Sequence, residues 1–118
     1  MSGAQGPVQI LSTLVNGSFE WTFGQDAVWA GDAGDFVLRA TALGSGAVGA
    51  TVTAYRGSRV GASVVYDDLA AATFTLSGTN LSVLSQAFRQ TGDVHWKFVV
   101  ASITASTTVV VSCGWWQL

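Results

Sequence analysis

Apolar and polar residues alternate with a period of two along most of the chain, which is the spacing of strands that have one buried face. The clearest runs cover residues 36–42 and 48–55, and Gly44-Ser-Gly46 between them predicts a hairpin turn. Only residues 69–72 have a spacing that predicts a helical turn. Further runs predict strands at 8–11, 19–23, 60–66, 72–77, 81–89, 94–104 and 107–113.

The runs are separated by turn signals at short intervals. Gly78-Thr-Asn80 predicts a second turn, and Arg56 and Arg59 bracket the predicted tip of another hairpin. About eight or nine short strands joined in this way are typical of an all-β fold. The sequence therefore predicts an antiparallel β-sandwich or jelly roll, built as one domain over residues 1–118.

The chain is poor in charge. Charged residues make up 10% of it, with five basic and seven acidic side chains, whereas ordinary soluble domains have about 25%. A monomer of this mass exposes about 6,000 Å², so large uncharged patches are expected, and such patches usually mark contact surfaces. We therefore expect a homo-oligomer, with a trimer as one arrangement. The alternative is a monomer whose surface is coated by serine and threonine hydroxyls.

Several classes of partner and compartment are disfavoured. A pI near 4.9 and five scattered basic residues give no basic stripe for nucleic acid. Cys113 is the single cysteine, so we expect a small buried side chain and no internal disulfide. Residues 1–8 lack the pattern of a signal peptide, which predicts a protein made and left in a cytoplasm. Residues 98–118 are uncharged, but their serine, threonine and β-branched content favours strands over a membrane span.

Catalytic motifs are weak. The G-x-G-x-x-G at residues 44–49 lies in a strand pattern, whereas a dinucleotide fingerprint needs a helix after it. His95 and Asp93 fall on the solvent face of a predicted strand, and no G-x-S-x-G supplies a nucleophile. Glu20 with residues 67–68 is the best carboxylate pair, but the two aspartates are placed as in a turn. We predict neither an enzyme nor a cofactor.

The most distinctive loop runs from residue 24 to residue 35. It holds three carboxylates, Asp26, Asp32 and Asp35, together with Trp29. Oxygen ligands on a glycine-rich loop could bind calcium, and an exposed tryptophan could stack on a sugar ring. The spacing matches no EF-hand, and the simpler interpretation is a turn whose tryptophan fills the end of the sandwich.

Four further residues are candidates for contact with a neighbouring subunit. Trp115 and Trp116 are adjacent on a predicted strand, so one can fill the core while the other emerges. Aromatic and arginine side chains are the favoured anchors of interfaces. Arg56 and Arg59 could in the same way reach carboxylates of a neighbour, the alternative being a solvated turn.

Three segments carry a family resemblance over residues 14–118. They are Leu14-Val-Asn-Gly-Ser-Phe-Glu20, Asp35-Phe-Val-Leu-Arg39, and Trp96-Lys-Phe98 followed by a strand of serine, threonine and valine. Their order is similar to that in carbohydrate-binding modules of the galactose-binding-like jelly-roll type. The resemblance implies sugar binding and a calcium held by Glu20 with an acid on the last strand. Here the last strand ends Gly114-Trp-Trp-Gln-Leu118, with no acid, so no metal site is predicted.

Two functional hypotheses follow. The first is a non-enzymatic assembly protein of a virion, such as a bacteriophage capsid decoration or cement protein that clamps neighbouring shell subunits. Its partners would be copies of itself and a viral shell protein, with neither nucleic acid nor a membrane. The second is a carbohydrate-binding module that recognises a glycan through exposed aromatic residues.

Overall fold

The computed structural model describes residues 3–22, 35–89 and 95–117, with side chains over 8–22, 37–88 and 95–114. These residues form one antiparallel sheet of seven strands and contain no helix. The strands are β1 (Gly3–Thr13), β2 (Gly17–Thr22), β3 (Asp35–Val60), β4 (Ser63–Tyr66), β5 (Ala72–Arg89), β6 (His95–Ala101) and β7 (Thr107–Gln117). The all-β prediction is confirmed.

The long strand β3 organises the sheet. Along one side it pairs with β5 over almost its whole length, and on its other side β7 pairs with residues 35–44 and β6 with residues 51–57. The sheet therefore has two halves. The β7 half contains β1, β7, residues 35–44 of β3 and residues 81–89 of β5. The β6 half contains β2, β6, β4, residues 47–60 of β3 and residues 72–79 of β5.

The predicted turns at 44–46 and 78–80 are not chain reversals. They lie opposite each other, because Leu43 pairs with Leu81 and Ala47 with Thr79, and a bulge separates the two pairs. Gly46 has a φ of 85°, a left-handed conformation that suits glycine, and its amide donates to the Asn80 side chain at 2.7 Å. The two signals thus bend a continuous two-stranded ribbon at one corner, as glycines and bulges do in curved sheets.

This corner explains why the strand count differs from the sequence prediction. Each bent strand was expected as two short strands joined by a turn, whereas β3 and β5 continue through the bend. The sheet curls into a half-barrel instead of dividing into two strand sets joined by hairpins. Gly44 allows a close approach at the bend, because a Cβ there would overlap the Ser106 carbonyl oxygen.

The hydrophobic core lies on the inner face of the curl. Residues from both halves form one cluster, and the largest fully buried side chains include Trp96, Phe98, Leu38 and Val52. The two halves also contact each other directly, since the ring centroids of Phe88 on β5 and Trp96 on β6 are 5.5 Å apart. The alternation predicted for residues 36–42, 48–55 and 72–77 is confirmed by this burial wherever side chains are described, which in the first run is from residue 37.

Two local predictions were wrong. The run at 60–66 is interrupted by a turn at Gly61 (φ 63°), so β3 ends at Val60 and β4 begins at Ser63. Residues 69–72 form no helical turn, since Ala72 already starts β5 opposite Ala54. The amide of Ala71 donates to the Ala54 carbonyl at 2.8 Å, which draws this segment to the sheet.

Candidate functional site

The second part of β5 is exposed on both of its faces. We call residues 81–88 the exposed segment and residues 72–79 the covered segment. In the exposed segment, Leu81 is 56% exposed, Val83 44% and Leu84 42%. Successive side chains of a strand point to opposite faces, so Val83 and Leu84 place apolar surface on both sides of the sheet.

On the outer face these residues form a patch with β3. Leu81 lies opposite Leu43, which is 40% exposed, and Val83 lies opposite Thr41. Arg39 borders the patch opposite Ser85. The patch is apolar at its centre and polar at its rim, which is the usual arrangement of a protein contact surface.

The backbone edge of β5 adds a second feature. Among the residues that the structure describes, β5 pairs only with β3, so its other side presents amide and carbonyl groups. The strand has neither a charged residue nor a proline from Ala72 to Phe88. Charges and prolines are the usual protection of edge strands against pairing with another chain. The exposed segment therefore combines an apolar surface with an unprotected edge.

The predicted interface residues lie elsewhere. The backbones of Trp115 and Trp116 belong to β7, opposite Phe36 and Asp35 of β3, and the side chains of both tryptophans lie outside the described part. Arg59 is exposed near the end of β3, opposite Val64 of β4.

Arg56 is not at a hairpin tip, because the turn lies at Gly61. Its register partner is Trp96, on the inner face. The guanidinium carbon lies 5.2 Å from the ring centroid of Phe88 and 5.3 Å from that of Trp96. At this range an arginine is attracted to an aromatic ring. Arg56 thus connects the end of the exposed segment to the β6 half.

The residues predicted to bind calcium or a sugar are mostly not described. Trp29, Asp26 and Asp32 lie outside the described residues, and Asp35 begins β3 with only its backbone described, opposite Arg89 and Trp116. Within the described ranges, no three His, Cys, Asp or Glu side chains come together as a group that could hold a metal.

The outer face of the β6 half carries a polar cluster. Lys97 Nζ lies 5.0 Å from the ring centroids of both Tyr55 and Tyr66. The Tyr66 hydroxyl donates to Glu20, the residue that the family resemblance assigned to calcium. Burial raises the pKa of Tyr66 to about 12, and the hydrogen bond and negative charge of Glu20 act in the same direction. These four side chains contact one another across neighbouring strands, as the cross-strand pairs that stabilise a sheet do.

His95 and Cys113 both lie in strands of the sheet, β6 and β7. His95 Nδ1 lies 3.1 Å from the hydroxyl of Thr22 on the neighbouring strand. His95 and Lys97 alternate with buried Trp96 and Phe98, which confirms the predicted faces of this strand. Cys113 is fully buried, as expected, and burial raises its pKa to about 12.

Sequence reasoning predicted a strand at 81–89 but missed its exposure. The signal was present, since leucine or valine occurs at 81, 83 and 84 and therefore on both faces, unlike the strict alternation of residues 72–77. None of the residues described in the structure belongs to a helix able to cross a bilayer. Comparison with protein-family models, with curated proteins and with solved structures gave no match.

Proposed function

We propose that this chain is a non-enzymatic structural assembly protein that acts by burying surface against its neighbours. The observation that carries the proposal is the exposed segment of β5, with apolar side chains on both faces and an uncharged edge. An edge strand of this kind is a template for contact with another chain. The low content of charged residues, 10%, supports the same conclusion for the surface as a whole.

More specifically, we infer that the chain is a virion component, such as a capsid decoration or cement protein of a bacteriophage. Such a protein oligomerises and clamps neighbouring shell subunits, so it needs contact surfaces and no catalytic centre. An all-β fold built on one curled antiparallel sheet, with little charge, suits this role. This step rests on analogy of fold and composition.

Sedimentation velocity over a series of rising concentrations tests the assembly proposal. We expect species larger than the 12.2 kDa chain at micromolar concentration and above. A folded chain that sediments only as a 12.2 kDa monomer at every concentration would contradict self-assembly.

The virion assignment has a separate test. Virus particles recovered from cells that make this chain are expected to carry it on their outer surface, where immunogold labelling with an antibody to the chain detects it. The matched control is particles from cells in which the gene has been deleted. Particles that carry no more label than this control would overturn the assignment.

A carbohydrate-binding module is the second candidate, and it has less support in the described residues. On the outer face of the β6 half, Tyr55 and Tyr66 are half-buried, and each has Lys97 over the ring. A sugar that stacks on an aromatic face needs that face free. A glycan array whose signal is abolished by Trp29→Ala would favour this candidate, and an array without signal would remove it.

A further inference from the structure

We propose that the exposed segment of β5 pairs with the same segment of a second copy of this chain. The two segments run antiparallel across a two-fold axis and join two half-barrels into a continuous sheet. This inference rests on the proposed assembly function and identifies the surface through which two copies of the chain associate. The proposed partner is a second copy of this chain, because the edges of the described sheet differ in how they are protected.

The other edges of the described sheet are protected. Strand β1 contains Pro7 and has register shifts on both sides of residues 8–9, which interrupt a regular edge. Strand β2 has only six residues and exposes Glu20. Strand β4 has four residues and is followed by two aspartates at 67–68. Short strands, bulges, proline and charge are the devices that prevent edge pairing.

Strand β5 lacks these protections over 81–88. Its eight residues span about 26 Å at about 3.3 Å per residue. Because none of them is charged, an identical segment meets no like-charge repulsion, which charged strands of one sign would suffer. The best complement to this edge that the described chain offers is therefore the same edge of another copy.

Two-fold symmetry also explains the apolar side chains. When two antiparallel strands pair around a two-fold axis normal to the sheet, the outer faces of both copies become continuous. One larger patch then forms around the axis on the outer face, from Leu81, Val83 and Leu43 of each copy. On the inner face, Leu84 of one copy contacts the exposed segment of the other. A single contact thus covers apolar surface on both faces of the strand.

The covered segment does not offer the same contact. Its inner-face residues Ala72, Phe74 and Leu76 are already buried in the core. Its outward residues are Thr73, Thr75 and Ser77, which are exposed and polar. Pairing there would bury little apolar surface, so the contact is assigned to residues 81–88 and not to the whole strand.

The first test compares two lysine substitutions on the same strand. Val83→Lys places a charge on the exposed segment, and two copies would bring these charges together; Thr75→Lys places one on the exposed side of the covered segment. Sedimentation is expected to show a dimer for the natural chain and for Thr75→Lys. For Val83→Lys we expect at least a tenfold weaker association. Ser85→Lys, at another exposed position, repeats the test should Val83→Lys fail to fold.

The second test is disulfide trapping. Cysteine is introduced singly at Leu81, Val83, Ser85 or Ala87, with Thr75→Cys as the control; the natural Cys113 is fully buried and does not compete. Facing residues of antiparallel strands have Cβ atoms about 4.5–5.5 Å apart, close to the range of a disulfide. Since only the residue on the two-fold axis faces its own copy, we expect oxidation to trap a covalent dimer at one of the four positions, which gives the register, and not at Thr75→Cys.

Three results would overturn the inference, and they differ in what else they affect. Self-association that survives Val83→Lys and Ser85→Lys, without trapping at any of the four positions, would refute the edge contact and leave the assembly proposal standing. A natural chain that remains monomeric at every concentration would refute self-assembly as well. A monomer in which the amides of 81–88 that point away from β3 resist hydrogen exchange would show that residues outside the described part cover the edge.

Discussion

The two segments of β5 have the same partner strand, yet one is covered and the other is not. Both pair with β3, and neither has a charged residue up to Phe88. In the covered segment Phe74 and Leu76 are buried against the inner face of the β6 half. In the exposed segment Leu84 faces the same side of the sheet but remains accessible.

The difference shows that backbone pairing does not by itself bury the side chains of a strand in this sheet. Backbone pairing with β3 fixes the position of all of β5, but only residues 72–77 alternate in a way that leaves one polar face for solvent. The exposed segment has apolar residues on both faces, and the curl of the described residues does not cover it completely. Its remaining apolar surface is available for contact with another molecule.

The largest expected effect comes from the same truncation in both segments. Leu76→Ala, at a residue that is 2% exposed, removes buried methyl groups and should lower the free energy of unfolding by about 2–5 kcal/mol. Leu84→Ala removes the same groups from an accessible position and should cost less than about 1 kcal/mol in the monomer. Urea unfolding at low protein concentration, where association does not contribute, measures both values.

Equal losses for these two variants would contradict the comparison. The same pair also separates folding from assembly, because Leu84→Ala should weaken self-association more than it weakens the fold. If Leu84→Ala costs as much as Leu76→Ala in the monomer, the exposed segment is covered by part of the chain itself.

An intermediate effect is expected at Arg56, which holds the end of the exposed segment through Phe88. Arg56→Gln removes the cation from the rings of Phe88 and Trp96 and should reduce stability by about 1–2 kcal/mol. Hydrogen exchange should accelerate more for residues 85–88 than for residues 72–76, because Phe88 loses one of its contacts with the β6 half, the guanidinium of Arg56.

Arg59→Gln is the matched control on the same strand. Arg59 is exposed, so its replacement should change stability by no more than about 0.5 kcal/mol. An equal acceleration of exchange in both segments after Arg56→Gln would mean that the arginine supports the fold in general and does not hold the exposed segment in particular.

The strands were predictable because period-two alternation reports directly on a half-buried sheet. Trp96 and Phe98 were assigned correctly to the inner face for this reason. The bend was not predictable, since Gly44-Ser-Gly46 and Gly78-Thr-Asn80 have the composition of hairpin turns. Only their placement opposite each other, a long-range relationship, turns two reversal signals into one corner.

The candidate site was only partly predictable. Low charge indicated an unprotected surface, but composition does not locate it on a particular strand. The choice of Arg56 and Arg59 depended on a hairpin tip at 56–59, and the strand continues to Val60 instead. Arg56 faces inward because the strand continues beyond residue 55, so that the alternation places Arg56 on the face of Ala54, beside Trp96.

The smallest expected effect appears at high pH, and it locates the boundary between buried and exposed surface in the β7 half. Cys113 of β7 lies opposite Leu38 of β3, and Leu38 lies opposite Gln86 of the exposed segment. Cys113 and Leu38 are fully buried, whereas Gln86 is exposed. The boundary therefore falls between β3 and β5.

Burial raises the pKa of Cys113 from 9.0 to about 12, so the folded chain holds the thiol proton where the unfolded chain has lost it. Stability from this source is complete below pH 9 and decreases as the pH rises towards 12, by about 1 kcal/mol at pH 10. Tyr66, whose pKa rises from 10.0 to about 12, adds a decrease only above pH 10. Unfolding of the natural chain and of Cys113→Ala between pH 8 and 10 isolates the thiol, since the variant should lose this slope.

Alkylation at pH 9 completes the comparison within one row of the sheet. The thiol introduced by Gln86→Cys, on the exposed segment and in the same row as Cys113, should react in the monomer at the rate of a free thiol, because residue 86 is exposed. Cys113 should react only as fast as the structure opens, since the reagent must reach an ionised sulfur. Equal rates at the two positions would mean that the β7 half opens as readily as its edge, and the distinction between covered and exposed surface would then not hold in solution.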